Sequence, residues 1–464
     1  MKRLLKLIFT LLISTNAATA AINAATAADL PIFKDGSTVC FLGNSITQSG
    51  EYQMVFQAYY ATRYPGSNVK FISCGIGGDT ATDMIARFDR DVMRYKPDYC
   101  LLMTGMNDMS AALYKAGLEE SESLEQRRKA CKDRYETLAE KLVNMMISAG
   151  VKPILMTPTI YDETAKIAAV SSVGKCDALL WCAEYIKGLG AKYNLSVVDH
   201  TQFMLDINLE AQKSDPKYTI IGPDRVHPRE VGHFIMAHRI ITTLMPNESK
   251  YVSLVSIDAE RGRVEQSEGC DVRLERGGAV SFKLRSAALP MAVVGSYEGA
   301  LRHIPFTELC NQEIVKIDGL KKGRYLLSID SRCVDTLSSA ELAAGVNLAT
   351  NRLTPQYRAA AEVFKLCEEY HAEQSIIRAI ANVEFKRLAK YKGADDLDSK
   401  LKYLKEMNEK SKGKPWYGSG KKIVAKYEQN IKRESEIVAR MDSLRRLIYS
   451  KGLPQERLYR VEKL

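Results

Sequence analysis

"FLGNSITQSG", residues 41–50, carries an apolar run into a polar turn and then into residues able to continue as a helix. The run Thr38 to Leu42 reads as a buried strand, and Gln53 to Tyr64 behind it reads as an amphipathic helix. The stretch is therefore a strand-to-helix junction with Ser45 at its tip. A serine in that position either caps the helix through its side-chain oxygen or presents a hydroxyl at the end of a strand.

The same alternation continues outward. Apolar runs at Val69 to Ser73, Tyr99 to Thr104, Pro153 to Met156 and Ser196 to Val198 are separated by helical candidates, among them Arg127 to Ala149 and Ala178 to Tyr193. Strand and helix in turn predict an α/β fold, a parallel sheet with helices on both faces. From about residue 250 the texture changes to short β-type runs with Gly turns, as in "CDVRLERGGAVSFKL" and "GLKKGRYLLSID". Further on, Ile431, Ile437, Val438, Met441, Leu444 and Leu447 recur at helical spacing, and "KSKGKPWYGSGKK" reads as a break between helices. The expected organisation is an export signal (1–28), an α/β domain (29–248), a small β domain (249–334) and a helical C-terminal region (335–464).

The signal is read from Lys2, Arg3 and Lys6, an apolar stretch and then small residues, with cleavage expected after Ala20 or Ala27. No later stretch is long and apolar enough to predict a membrane span, so an exported protein, periplasmic or extracellular, is expected. The net charge of +10 is concentrated in residues 335–464, which hold 26 Lys or Arg against 18 Asp or Glu. The signs alternate along helical stretches, which favours a solvated face and argues against nucleic acid as a partner. Ten cysteines are compatible with disulfides after export, but Cys40, Cys74 and Cys100 lie in or beside apolar runs, where a thiol acts as a small hydrophobe. Most are expected to be free, with a Cys176–Cys182 pair left open.

In a parallel sheet, ligands bind at the carboxyl ends of the strands. The segments there are Gly43-Asn44-Ser45, then Cys74-Gly75-Ile76-Gly77-Gly78-Asp79, then Gly105-Met106-Asn107-Asp108, and later "GPDRVHPREVGH" with Asp224 and His227 three apart. Acyl transfer by a serine needs a base, a group that orients the base, and donors for the oxyanion. Ser45 fits as the serine, His227 as its base and Asp224 as the group that orients the base. The backbone N–H groups of Ser45 and Gly75, with the Asn107 side-chain amide, fit the oxyanion hole.

With these residues the chain resembles the SGNH hydrolases, also called the GDSL esterase and lipase family, through "GNSIT", "CGIGGDT", "GMND" and "DRVHP" in that order. The resemblance covers about residues 36–245. It implies a flavodoxin-like sheet, Ser45 as nucleophile, Gly75 and Asn107 as oxyanion donors, and Asp224 and His227 as orienting acid and base. Two positions depart from the family pattern: Asn44 stands where Asp is common, and Ser73 where Asn is common.

His227 alone has an acid three before it and a proline after it. His200 follows Asp199 directly, and adjacent strand residues face opposite ways; His233 and His238 fall on the following helix as packing or surface residues. Tyr52, Tyr59 and Tyr60 read as core or surface, and Asp79, Asp108 and Asp162 as turn or cap residues. No H-E-x-x-H, Cys-pair or G-x-G-x-x-G spacing predicts a metal or nucleotide cofactor. The expected function is an exported serine esterase acting on a small-molecule or carbohydrate ester, possible deacetylation of carbohydrate included. The alternative is a non-catalytic polysaccharide or envelope binding protein on a hydrolase frame.

Overall fold

The structure is a computed structural model that describes residues 32–276 and 280–464; the expected export signal, 1–28, lies outside them. The five apolar runs form β1 (Thr38–Gly43), β2 (Lys70–Gly75), β3 (Tyr99–Met103), β4 (Lys152–Met156) and β5 (Val197–Val198). All pair in parallel, in the order β2-β1-β3-β4-β5. Between and after them run α1 (Ser45–Ser49), α2 (Glu51–Arg63), α3 (Ala81–Arg87), α4 (Glu122–Ser148), α5 (Lys175–Tyr193), α6 (His200–Ser214) and α7 (Glu230–Leu244). Helix α4 starts earlier than its apolar pattern predicts because the Ser121 side chain caps it, accepting from Leu124 N.

The period of two in the strands explains why they read as unbroken apolar runs. Val39, Phe41, Leu101 and Met156 enter one apolar layer, while Cys40, Leu42, Cys100 and Leu155 enter the layer on the opposite face. Because β2 and β3 flank β1 on opposite sides, the chain diverges at the carboxyl ends of β1 and β3 and leaves a crevice there.

Beyond α7 come β6 (Tyr251–Asp258), β7 (Arg263–Glu268), β8 (Cys270–Leu274), β9 (Val280–Ser286), β10 (Gln312–Asp318), β11 (Arg324–Ile329), β12 (Arg332–Ser338), β13 (Val346–Asn347) and β14 (Arg457–Lys463). They form two sheets, β13-β10-β6-β7 and β12-β11-β14-β9-β8, antiparallel except for the parallel β6–β10 pair. Val255, Ile257, Val315 and Ile317 of the first sheet share one core with Phe282, Leu284, Leu327 and Tyr459 of the second. The expected split into a β unit of 249–334 and a helical region of 335–464 is therefore redrawn. The end of β12, all of β13 and the central strand β14 come from beyond residue 334, and Met291, Tyr297 and Phe306 of the β region pack into the core of the α/β sheet.

The helices of the last region are α8 (Pro355–Asn382), α9 (Leu397–Glu409), α10 (Tyr417–Ile431) and α11 (Glu434–Lys451). Helix α8 begins cleanly: the Thr354 side chain accepts from Tyr357 N, and Pro355 occupies a position where a helix has no use for an N–H. It lies along β2, the edge strand. Tyr370 Oη donates to Phe71 O (3.0 Å), Gln374 Oε1 accepts from Ser73 N (2.9 Å) and Arg378 Nε donates to Gly75 O (3.1 Å). Four residues of helix rise about 6 Å, and two residues of strand about 6.6 Å. Side chains at every fourth helical position thus meet backbone groups at every second strand position, and α8 pairs the edge in place of a sixth strand. Tyr449 of α11 extends the row to Val69 O (3.1 Å).

Arg378 also reaches under the sheet. Its Nη1 and Nη2 donate to the two oxygens of Asp91 at 2.8 and 2.7 Å, while Arg87 donates to Asp91 and, through Nε at 2.7 Å, to Asp79. All four side chains are buried. Burial alone would raise the Asp91 carboxyl; the guanidiniums of Arg378 and Arg87 outweigh it and hold it below the usual range. Replacing Arg378 by Met strips a buried carboxylate of its bidentate partner. The expected cost is about 3–5 kcal/mol, read as a lower urea midpoint with an unchanged slope.

Burial pushes His200 and His233 down to about 3 and His238 to about 4, from an ordinary 6.5. The unfolded chain takes up these protons first, so stability is full above about pH 6.5 and falls as pH drops towards 4. Glu313, pushed up to about 7 by burial, works the other way and loses stability as pH rises from 4.5 to 7. Glu51, pushed up to about 6 by burial, and Glu368, also raised, act with Glu313, while His303 and His371, both lowered by burial, act with the other imidazoles; the imidazoles predominate, and the melting temperature at pH 5 is expected to lie several degrees below that at pH 7.5. Calorimetry at the two pH values checks the sign.

Candidate active site

The turn after β1 holds Ser45 by local contacts. A Cβ on Gly43 would lie 2.1 Å from Thr47 Oγ1, so only glycine lets the strand close onto α1. Asn44, the departure from the family pattern, is buried, and its Oδ1 accepts from Ile46 N at 3.0 Å, which caps α1. The capping role open to Ser45 is thus taken by its neighbour. The hydroxyl is left at the mouth of the crevice, 2.7 Å from His227 Nε2.

His227 and Asp224 lie in a turn closed by Gly222 N donating to His227 O at 2.7 Å. His227 Nδ1 is 2.6 Å from Asp224 Oδ2, and Asp224 Oδ1 accepts from the backbone N–H groups of Val226 (3.1 Å) and His227 (3.0 Å). Partial burial would raise the Asp224 carboxyl, but these bonds prevail and lower it, which keeps it ionised beside the ring. Between them Arg225 takes a left-handed conformation, φ +66°. Its buried guanidinium donates to Ala169 O and Asp162 O, each at 2.8 Å, and so ties the turn to the loop after β4. The side chains of His227 and Asp224 are 45% and 53% exposed, so this end of the crevice is open.

The two remaining segments complete the rim. Asn107 Nδ2 donates to Asp79 O at 2.9 Å, which spends one of its two N–H groups. Asp108 accepts from Ala81 N (2.8 Å) and Gly105 N (2.9 Å), cross-linking the loops after β2 and β3. Lys175 Nζ, buried, donates to Met106 O at 2.7 Å and to Met109 O, on either side of Asn107. Ser73, the second departure, donates from Oγ to Thr47 O at 3.0 Å and so fastens β2 to α1.

Gly75 does not stand where the sequence reading puts it. Its N–H faces Ser73 Oγ at 3.4 Å, and a Cβ there would lie 2.2 Å from Gln48 N, so its glycine character serves the packing of β2 against α1. Gly77 is the glycine beside the serine: its Cβ position would be 3.8 Å from Ser45 Cβ. The Gly77 N–H is taken by Gln48 Oε1 at 2.5 Å. The N–H groups of Ser45 and Gly78 have no acceptor among the described residues.

The other candidates fall as structural groups. His200, His233 and His238 are buried, as are Tyr52, Tyr59 and Tyr60. Asp79 and Asp108 organise loops, and Asp162 accepts from Thr164 N and Ala165 N. All ten cysteines are free, Cys176 and Cys182 included. Among the described residues no group of three or more His, Cys, Asp or Glu is placed to hold a metal ion, and no helix is long and apolar enough to cross a membrane. Sequence reading missed Lys175, Arg225, Arg378 and Lys386, cations that act on the rim, all but Arg225 from outside the four segments. For Arg225 alone was there a local cue, its place between the acid and the base.

Residues 41–235 match the GDSL-like Lipase/Acylhydrolase family. An acetylxylan esterase of Geobacillus stearothermophilus is 25% identical over 223 residues, 44% of this chain and 93% of that protein. The uncharacterized lipoprotein YqeF of Bacillus subtilis (strain 168) is 33% identical over 90 residues, 19% of this chain and 32% of that protein. Among solved structures, BT4096, a gut microbial diltiazem-metabolizing enzyme, superposes with a TM-score of 0.84 at 28% identity, covering 93% of this chain and 98% of that one. The likeness to BT4096 therefore takes in the β sandwich and the C-terminal helices as well. By the parallel sheet, the four rim segments and these relatives, residues 41–235 form a GDSL-like lipase/acylhydrolase domain of the SGNH fold, and the chain is an ester-hydrolysing enzyme.

Proposed function

We propose that the chain is an exported serine esterase that removes short acyl groups from carbohydrate. The observation that carries the mechanism is the continuous hydrogen-bonded series from Ser45 Oγ to His227 Nε2 (2.7 Å) and from Nδ1 to Asp224 Oδ2 (2.6 Å). Ser45 Oγ attacks the ester carbonyl while its proton passes to His227 Nε2. The imidazolium so formed is stabilised by ionised Asp224. The tetrahedral oxyanion is received by the N–H groups of Ser45 and Gly78 and by the unspent N–H of the Asn107 amide, with Gly78 in the role first given to Gly75. Collapse expels the alcohol, which takes the proton from His227. Water then attacks the acyl-enzyme, gives its proton to the same nitrogen, and releases the acid and free Ser45.

Two features support a large alcohol and a small acyl group. The exposed flank of His227, through which the leaving alcohol departs, gives a bulky sugar room. The Geobacillus relative is named for acetylxylan, an acetylated polysaccharide. Export is supported by the charged and apolar character of residues 1–28, and the lipoprotein relative fits it.

With an aryl acetate, Ser45→Ala is expected to lower kcat by about 10⁴-fold or more, and Asn107→Ala by about 10²- to 10³-fold with KM little changed. Turnover by Ser45→Ala at the wild-type rate would sink the mechanism. Acetylated xylo-oligosaccharides are expected to be deacetylated faster than phospholipids are hydrolysed, measured as acid released per enzyme. Expression in a Gram-negative host is expected to give periplasmic protein whose N-terminal sequence starts after Ala20 or Ala27; intact Met1 on that fraction would refute cleavage.

A further inference from the structure

The loops carrying the proposed oxyanion donors meet at one residue, Asp79. Its carbonyl accepts the Asn107 amide at 2.9 Å, and its N–H, next in the chain to Gly78, donates to Ile76 O at 3.2 Å. Its side chain is fully buried, so the carboxylate has no water and depends on two cations: Arg87 Nε at 2.7 Å and Lys386 Nζ at 2.7 Å. Arg87 belongs to α3, next to the loop. Lys386 belongs to the far end of the chain, outside the residues that match the family.

Lys386 lies in a π-helical turn, Val383–Arg387, that continues α8. Such turns recur at functional sites because the wider turn re-aims the side chains that follow. Here the ammonium group also reaches Asp83 Oδ1 at 3.1 Å. Asp83 closes a capping box with Thr80, accepting from its N–H (2.9 Å) and hydroxyl (2.7 Å). One side chain thus holds both ends of the segment 79–83, where the loop turns into α3. Docking of α8 does not need it, since Tyr370, Gln374 and Arg378 fasten the helix to β2 and Val363, Phe364 and Ile377 join the common core.

We infer that Lys386 is a positioning residue for the oxyanion hole: by holding Asp79 it sets the Gly78 N–H and the Asn107 amide at the spacing the oxyanion requires. The inference rests on the serine-esterase reading above. Donors of this kind act mainly on the transition state, so their displacement appears in kcat and not in KM.

The test uses the full chain, an aryl acetate substrate and titration with a serine-reactive phosphonate, which counts competent sites and so removes any misfolded fraction from the rate. Lys386→Met is expected to lower kcat per titrated site on the order of 10- to 100-fold, less than deleting a donor outright, with KM within about twofold. Lys386→Arg, which keeps the charge, is expected to recover most of the loss. An unchanged kcat per titrated site in Lys386→Met overturns the inference, as does a change confined to KM or to the number of titratable sites. Turnover that survives Ser45→Ala overturns the serine reading and the Lys386 role together; Ser45-dependent turnover with Lys386→Met unaffected overturns the Lys386 role alone.

Discussion

Two arginines share the carboxylate of Asp91 out of reach of water, and the placing of the active-site loops follows from that. Arg87 comes from the helix after the glycine loop, Arg378 from a helix 291 residues further along. Ions taken out of water are tolerated only as a complete set, because each is costly without its partners. The α/β sheet therefore cannot settle its glycine loop until α8 has arrived, and α8 cannot bury Arg378 without the sheet. The part of the chain that matches the family and the part that does not are joined by charge balance as well as by apolar contact.

Much of the α/β unit was legible because its signals are local. Each strand is buried on both faces, and three of the four rim segments follow directly from a strand. Ser45, Asp224 and His227 could be singled out as candidates because an acid and a base three apart lie in a single turn. Gly75 was misplaced for a physical reason: three glycines within four residues look alike in sequence. What separates them is the direction of each N–H and the closeness of the Gln48 backbone, which only the folded loop reveals. Arg378, Lys386 and Lys175 were illegible because a lysine or arginine on an amphipathic helix is usually a solvated face, and their partners lie far off in sequence. The strand β14 did carry a cue, Tyr459 and Val461 alternating with charged neighbours, but seven residues after a long helical stretch are too few to outweigh it.

The site shows how a rigid frame and an open mouth coexist. Nearly every backbone group behind Ser45 is spoken for: Asn44 caps α1, Ser73 holds Thr47 O, and Asp108 links two loops. The free donors are those of Ser45, Gly78 and one amide hydrogen of Asn107. The imidazole and its carboxylate, by contrast, are half-exposed. In the proposed mechanism rigidity thus falls where charge develops on the carbonyl oxygen, and openness where the alcohol departs, an arrangement that constrains the chemistry more tightly than the choice of alcohol.

The central position of β14 bears on how the chain reaches this state. Residues 457–463 pair on both sides, with β11 and with β9, strands synthesised well over a hundred residues earlier. As the chain emerges from the ribosome, β9 and β11 have no neighbour to close the gap between them, and two unsatisfied edges stay open until the last seven-residue strand appears. The sandwich can form only once synthesis is all but finished. Until then those edges remain open to pairing with other chains.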